Sequence, residues 1–194
     1  DVYKRQVITE QLQQFAEEKG LYYPVDFASA GSSQIGGNIG TNAGGIKVIR
    51  YGLTRNWVLG LTVVTGKGDI LELNRGMIKN ATGYDLRHLF IGAEGTLGIV
   101  TKAQIKLERA PQNLTVMVFG LEEFDHVMHV LSAFQSQLDL TAFEFFDKVA
   151  LDKLMATGNV QRPFETSSNY YALLEFEAPY EPIMDLSLIH ISEP

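Results

Sequence analysis

The sequence predicts an α+β fold in two parts, which meet near Pro111. Beyond Pro111, strand and helix patterns alternate, as is typical of a sheet with helices on one face. Before it, Leu59 to Val63 alternates like a strand, and a Gly-Lys-Gly-Asp turn at 66–69 leads into a second strand at 70–73. Fifteen of the 18 glycines also lie between Gly31 and Gly98. Such density indicates tight turns or a close approach of the main chain to another group.

The other elements of the first part follow from local patterns. Val7 to Lys19 predicts a helix, because Ile8, Leu12 and Phe15 share one face and Gly20 suits the residue that ends it. Asp85 is placed to cap a short helix that runs to 89. A half-buried strand follows, whose core-facing residues are predicted to be Ile99, Thr101, Ala103, Ile105 and Leu107.

The second part is predicted to alternate strictly. Strands are expected at 114–119, 141–146 and 169–177, and helices at 121–138 and 147–156, the second one capped by Asp147. The first helix is expected to bury one apolar stripe, formed by Phe124, Val127, Met128, Leu131, Phe134 and Leu138. His126 and His129 would then lie on its solvated side, where two ligands without a third make a weak metal site, and we expect no metal.

Composition excludes several classes of function. The chain has 194 residues, 45% of them hydrophobic, and a formal net charge of −7, which disfavours a nucleic-acid-binding role. It has no cysteine, so disulfides and thiolate metal sites are excluded. The longest apolar stretch, near 57–64, is too short to span a membrane, and no secretory signal is visible at the start. We therefore expect a cytoplasmic protein.

Both ends of the chain look foreign to the fold. Residues 1–6 and 186–194 resemble translated adapter sequence, so we expect them to be non-native and omit them from the predicted fold. The rest would then be an interior piece of a longer protein.

Glycine is concentrated in segments at 35–45, 79–86 and 91–101. In the first and third, small residues would let successive backbone N–H groups face a concavity that holds an anion such as a pyrophosphate. Tight turns between strands are the alternative, but two such dense clusters favour a ligand. The dinucleotide fingerprint G-x-G-x-x-G is absent, and Gly60 to Lys67 has one residue too many for a phosphate-binding P-loop.

These segments carry a family resemblance. Residues 36–45, Arg50-Tyr51-Gly52 and Leu59-Gly60-Leu61 resemble the second half of the FAD-binding domain in flavoproteins of the vanillyl-alcohol-oxidase type. Residues 79–86 and 89–101 are similar to the glycolate oxidase FAD-binding subunit and to D-lactate or D-2-hydroxyacid dehydrogenases. The resemblance implies an FAD-binding domain at 7–110 that lacks its first subdomain. The start of an α+β substrate-side cap domain would follow at 111–185.

The resemblance also implies which residues bind FAD. It assigns this role to Ser33, Gly36, Gly37, Asn38, Thr41, Asn42, Ala43, Gly44, Gly45, Glu94, Gly95, Gly98 and Ile99. Ala93 is a departure, since the family usually has Ser there. Arg50 and Arg55 could offset the charge of a cofactor or substrate, and ordinary surface pairing is the alternative.

The implied reaction is oxidation of a 2-hydroxy acid, of the glycolate or D-lactate type, to the 2-oxo acid by hydride transfer to FAD. The resemblance places the catalytic residues outside this chain, so none is named, and it leaves the electron acceptor and any companion subunits open. Two alternatives also remain open. One is another enzyme on the same flavin fold, such as an alkylglycerone-phosphate synthase or an aryl-alcohol oxidase. The other is an inactive truncated fragment.

Overall fold

The computed structural model describes residues 2–4, 6–158 and 160–178. The chain divides between Ala110 and Pro111 into two compact units, each a mixture of helices and antiparallel sheet. The α+β fold class predicted from the sequence is confirmed. Residues 186–194 and the predicted domain end at 185 lie outside the described residues.

The N-terminal unit is built on a four-stranded sheet. In chain order its elements are β1 (Val2–Lys4), α1 (Thr9–Glu17), β2 (Leu21–Tyr22), α2 (Ile35–Thr41), α3 (Val48–Tyr51), a 3-10 helix (Thr54–Trp57), β3 (Val58–Thr65), β4 (Ile70–Leu73), α4 (Arg87–Phe90), β5 (Gly98–Ile105) and β6 (Glu108–Arg109). The strand order is β1-β5-β3-β4, with every pair antiparallel, and β2 pairs with β6 in a separate ribbon. The predicted fold omits β1, which pairs with residues 102–104 of β5.

Two helices pack their apolar sides into the core of this unit. Leu12 and Ala16 of α1 and Ile35 and Ile39 of α2 are fully buried, beside sheet residues such as Val63. The prediction of a helix after Val7 is thus confirmed, and Gly20 has the left-handed backbone expected after a helix end (φ +67°).

Strand β5 contains a β-bulge, which the alternation of polar and apolar residues in the sequence does not reveal. Thr62 pairs with Lys102 but Val63 pairs with Val100, so Thr101 has no partner on β3. An extra residue reverses which side the following side chains face. Val100 is therefore buried while Ile99 is 50% exposed, and the prediction that Ile99 faces the core is wrong.

The C-terminal unit is a three-stranded antiparallel sheet with two helices. Its elements are β7 (Leu114–Leu121), α5 (Asp125–Gln135), β8 (Leu140–Asp147), α6 (Lys148–Met155) and β9 (Tyr170–Glu177), in the strand order β7-β9-β8. Val130 and Phe134 of α5 pack on Leu174 and Phe176 of β9. All five predicted elements are present, although α5 begins later than expected because β7 continues through Leu121.

The apolar stripe of α5 differs from the prediction. Its buried residues are Val127, Val130 and Phe134, whereas Met128 is 55% exposed. Phe124 precedes the helix and packs its ring on Phe145 instead.

Among residues 2–4, 6–158 and 160–178, no group of three or more potential ligand side chains could hold a metal ion. No helix within the same ranges is long and apolar enough to cross a membrane.

Candidate functional site

A groove of about 410 Å³ opens on the N-terminal unit, between helix α2 and residues 94–100. Gly36, Gly37 and Gly40 line one wall, and Gly95 and Gly98 line the other. Ligand pockets commonly have volumes of about 300–1,000 Å³, so the groove is large enough for part of a cofactor. Two glycine segments that are distant in sequence therefore share one concave surface.

The first wall is a helix, in a segment where the glycine run predicts N–H groups that face a concavity. The Asn38 N–H bonds to the Gln34 carbonyl at 3.0 Å, four residues earlier, whereas Gly36 and Gly37 lie in the first turn of the helix, where N–H groups have no partner within the helix. The spacing of Gly36, Gly37 and Gly40 also puts three residues without a side chain on one face of the helix. A Cβ atom added at Gly37 or Gly40 would meet nothing within 4 Å. Since each helical glycine costs about 0.5–1 kcal/mol relative to alanine, this face gives up stability for access to the helix backbone.

Buried contacts hold this helix in place. Its C-terminus is closed by Asn42, in a left-handed conformation (φ 49°) that asparagine tolerates well. Behind the glycine face, Asn38 is 4% exposed and its Nδ2 donates to Thr9 Oγ1 at 2.6 Å. Thr9 Oγ1 also lies 2.8 Å from Ser33 Oγ. Ser33 and Asn38 thus belong to a polar network away from the groove lining.

The second wall is tied to the first by main-chain hydrogen bonds. The Gly92 N–H donates to the Ile39 carbonyl at 3.0 Å, and the Glu94 N–H donates to the Gly40 carbonyl at 2.9 Å. Gly98 is required by strand packing, because a Cβ there would lie 2.8 Å from Val63 Cγ1. Beyond it, Ile99 provides an apolar side chain in the lining.

The remaining predicted residues lie outside the lining of the groove. Asn42 Oδ1 accepts from the backbone N–H of Arg55. The Ala43 carbonyl accepts the hydroxyl of Thr54 at 2.7 Å. A Cβ on Gly44 would lie 2.9 Å from Leu53 Cδ2, and one on Gly45 would lie 1.9 Å from the carbonyl oxygen of Asp26. These contacts explain the residue types by packing, and their assignment to FAD stays a prediction from the resemblance.

Some residues of the lining escaped sequence analysis. Gly40 belongs to the glycine run but is not among the predicted FAD-binding residues. In a helix it lies four residues from Gly36 and therefore on the same face, so a helical interpretation of the segment would have predicted it. Gln34 and Phe90 also line the groove. Neither residue carries a motif of its own, so only the fold reveals them.

A charged cluster lies beside the second wall, around α4. The Arg87 guanidinium binds the Asp85 carboxylate (Nε–Oδ1 2.9 Å) and donates to the carbonyls of Val58 and Leu59. The hydrogen bond from Arg87 lowers the pKa of Asp85, against a smaller opposing effect of burial. The pKa of His88 is also lowered, chiefly by burial, although Asp85 opposes this. Arg55 reaches the same cluster and donates to the carbonyls of His88 and Ile91, so its guanidinium is engaged by the protein's own backbone.

Comparison with known families gives two matches along the chain. The family described as FAD binding domain matches residues 7–74. The family described as FAD linked oxidases, C-terminal domain, matches residues 110–185. The two matches follow one another in the same order as the two structural units.

Curated relatives with similar sequences are named D-2-hydroxyglutarate dehydrogenase. The protein of Stutzerimonas stutzeri is 72% identical over 175 residues, which are 90% of this chain and 38% of the relative. The protein of Xanthomonas citri pv. viticola is 56% identical over 163 residues, 84% of this chain and 34% of the relative. The mitochondrial protein of Arabidopsis thaliana is 39% identical over 171 residues, 87% of this chain and 31% of the relative. The chain therefore spans roughly a third of the length of these relatives.

Solved structures with the same fold include two of alkyldihydroxyacetonephosphate synthase. One has a TM-score of 0.73 at 23% identity and covers 91% of this chain and 35% of that chain. The other has a TM-score of 0.69 at 22% identity, with 91% and 34% covered. At such identity the likeness establishes the fold alone. The two family matches and the curated relatives confirm the resemblance found in the sequence: the chain belongs to the FAD-linked oxidoreductases of the vanillyl-alcohol-oxidase type.

Proposed function

We propose that this chain forms the FAD-binding part, and the start of the cap, of a dehydrogenase that oxidises a 2-hydroxy acid to the 2-oxo acid. The observation that carries the proposal is the groove whose two walls expose glycine backbone. Bare backbone admits a flat or extended ligand closer than any side chain would allow. The membership of the FAD-linked oxidoreductase family supports FAD as that ligand.

The chemistry divides between the cofactor and the chain. FAD, when bound, supplies the acceptor for the hydride that leaves the substrate Cα. The chain's own part is to bind and orient: Gly36, Gly37 and Gly40 would give access along α2, and Ile99 and Phe90 would cover apolar surface of the ligand and exclude water from it. Thr41, Glu94, Gly95 and Gly98 complete the proposed contacts.

We propose D-2-hydroxyglutarate as the substrate. The support comes from the three relatives described above, which carry this name. The glycolate and D-lactate predicted from the sequence are smaller 2-hydroxy acids that lack the second carboxylate of D-2-hydroxyglutarate. The names of these relatives favour the larger acid, and they favour a hydroxyacid dehydrogenase over an alkylglycerone-phosphate synthase. We also propose that the reaction takes place in the cytoplasm.

FAD titration of the full chain tests the cofactor site. The chain is titrated with FAD while flavin fluorescence is recorded, and Gly37→Leu is titrated in parallel. A leucine at 37 points into the open groove, so it should weaken binding without disturbing the fold. The control is Ser132→Leu, which introduces the same side chain at an exposed position of α5 in the C-terminal unit and should leave FAD affinity unchanged. Equal binding by the wild type and Gly37→Leu, or no saturable binding up to millimolar FAD, would overturn the site.

A turnover assay tests the substrate. Because the resemblance places the catalytic residues outside this chain, the full-length protein that contains it is loaded with FAD and offered D-2-hydroxyglutarate, D-lactate and glycolate, with an artificial dye as electron acceptor. Faster dye reduction with D-2-hydroxyglutarate supports the proposal. Faster reduction with D-lactate or glycolate would favour the substrate predicted from the sequence, and reduction by none of the three would count against the proposed 2-hydroxy acid dehydrogenase.

A further inference from the structure

Arg55 contacts the residue that ends the first wall and the segment that precedes the second wall. Its backbone N–H donates to Asn42 Oδ1 at 2.9 Å, at the residue that ends α2. Its guanidinium donates to the Ile91 carbonyl at 2.6 Å and to the His88 carbonyl at 2.9 Å, in the segment that leads into the second wall. The residue therefore links the end of α2 to the segment that leads into the second wall.

The contacts lie next to the main-chain bonds that join the walls. Gly92 donates to Ile39 and Glu94 donates to Gly40, one and three residues after the carbonyl of Ile91 that Arg55 binds. A Cβ added to Gly92 would lie 3.4 Å from Asn42 Cβ and 3.6 Å from Arg55 Nη2, which shows how closely the three residues pack. Hydrogen bonds from a charged planar guanidinium are strong and directional, so Arg55 can fix the spacing here.

The same contact determines the protonation of His88. Arg55 Nη1 lies 3.0 Å from His88 Nδ1. A guanidinium only donates, so Nδ1 must accept, and the imidazole must carry its proton on Nε2. Nε2 lies 3.5 Å from Asp85 Oδ2, so a proton on Nε2 faces a carboxylate oxygen. The charged groups that face His88 are thus Arg55 from the 3-10 helix, Asp85 before α4 and Arg87 on α4.

We propose that Arg55 is a positioning residue for the FAD groove. It holds Asn42 and Ile91 at a fixed separation, and its contact with His88 keeps that imidazole in the neutral tautomer with the proton on Nε2. The inference rests on the proposed function, because it assigns a role in the same groove. Arg55 itself lies outside the lining, so it would act through the walls and not by touching FAD.

Nuclear magnetic resonance on the full chain without FAD tests the role directly. Hydrogen exchange of the Gly92 and Glu94 amides should speed up by about tenfold in Arg55→Gln, the factor expected for losing one charged hydrogen bond. Arg55→Lys keeps the charge and one donor, so it should restore part of the protection. Arg75→Gln is the matched control, since Arg75 is an exposed arginine of the same unit that pairs only on the surface with Glu72. Unchanged protection in a folded Arg55→Gln would overturn the proposal.

A second measurement needs no variant. The ¹⁵N shifts of the His88 ring in the wild type should show a protonated Nε2 and an unprotonated Nδ1, and a protonated Nδ1 at neutral pH would overturn the proposal even if Arg55→Gln failed to fold.

FAD titration then separates this inference from the proposed function. The dissociation constant for FAD should rise about tenfold in Arg55→Gln and stay unchanged in Arg75→Gln. If the wild type binds FAD and Arg55→Gln binds it equally well, the positioning role fails while the proposed function stands. If the wild type does not bind FAD yet the exchange rates change as expected, the proposed function fails and the coupling of the walls stands.

Discussion

The Glu94 N–H donates to the carbonyl of Gly40 at 2.9 Å, so the two walls of the groove share a main-chain hydrogen bond. Gly40 lies in the last turn of α2, where carbonyls have no partner within the helix. The second wall supplies that partner, and Glu94 adopts a left-handed conformation there (φ 49°). Backbone hydrogen bonds therefore contribute to the width of the groove. Substitutions on the glycine face should change what fits without moving the walls.

Gly40→Ala should change stability and binding in opposite directions. Alanine costs less than glycine in a helix, and its Cβ would meet nothing within 4 Å, so the free energy of unfolding should rise by about 0.5–1 kcal/mol. The same methyl group occupies groove space, so FAD affinity should fall. Urea denaturation and FAD titration of the same preparation check both signs. A variant that is more stable and binds FAD as the wild type does would show that FAD lies elsewhere.

Gly45→Ala should destabilise the protein instead. Its Cβ would lie 1.9 Å from the carbonyl oxygen of Asp26, which is backbone and already accepts the Ile46 N–H at 3.1 Å. Relief requires movement of the chain, so we expect a loss of about 1–3 kcal/mol in the free energy of unfolding, as for other overpacked sites. Urea denaturation beside Gly40→Ala checks it. Equal stability of the two variants would contradict the packing role assigned to Gly45.

These two glycines show where sequence analysis stops. Dense glycine correctly predicts a close approach of the main chain, but it does not distinguish Gly40, which faces open space, from Gly45, which faces Asp26. The partner of Gly45 is distant in sequence, and no local pattern encodes it. Elements that depend on local signals are predicted well, such as α1 and the β3–β4 hairpin.

Non-local pairing accounts for the other differences. The bulge at Thr101 arises from the register between β3 and β5, so the alternation of polar and apolar residues misassigns Ile99. Helix α2 has three glycines among seven residues, and intrinsic propensity therefore argues against it. Its formation depends on tertiary burial of Ile35 and Ile39, which outweighs propensity.

Asp85→Asn should make the free energy of unfolding depend less on pH in the acid range. The pKa of Asp85 is lowered, first by the hydrogen bond from Arg87, so its carboxylate stabilises the fold at pH values above the ordinary pKa of 3.8. That contribution is lost as pH falls through the lowered pKa of the folded state. Denaturation at a series of pH values should show the difference between wild type and Asp85→Asn shrinking with acidification. A difference that stays constant with pH would contradict the ionic role.

Titration of His88 should give a pKa below 6.5 in the wild type, because burial and the neighbouring Arg87 and Arg55 disfavour its charged form. A histidine with a lowered pKa in the folded state weakens the fold as pH falls from 6.5 towards that lowered value, since the unfolded chain binds the proton first. Arg55→Gln removes one positive neighbour, so the pKa of His88 should rise. Both pKa values are measured by following the imidazole resonances of His88 against pH. A wild-type pKa at or above 6.5 would contradict the effect assigned to burial and to the two arginines.

Asp147→Ala should weaken helix α6 and leave the FAD groove unaffected. Asp147 precedes the helix, and its side chain accepts the Ala150 N–H at 2.7 Å, as its position between strand and helix predicts. Loss of such a cap costs about 1 kcal/mol, measurable by urea denaturation. Asp147→Asn separates the two physical contributions, because asparagine keeps an acceptor oxygen but loses the charge that favours a helix N-terminus. If the hydrogen bond dominates, Asp147→Asn stays close to the wild type; if both variants lose stability equally, the charge dominates and the cap assigned here is wrong.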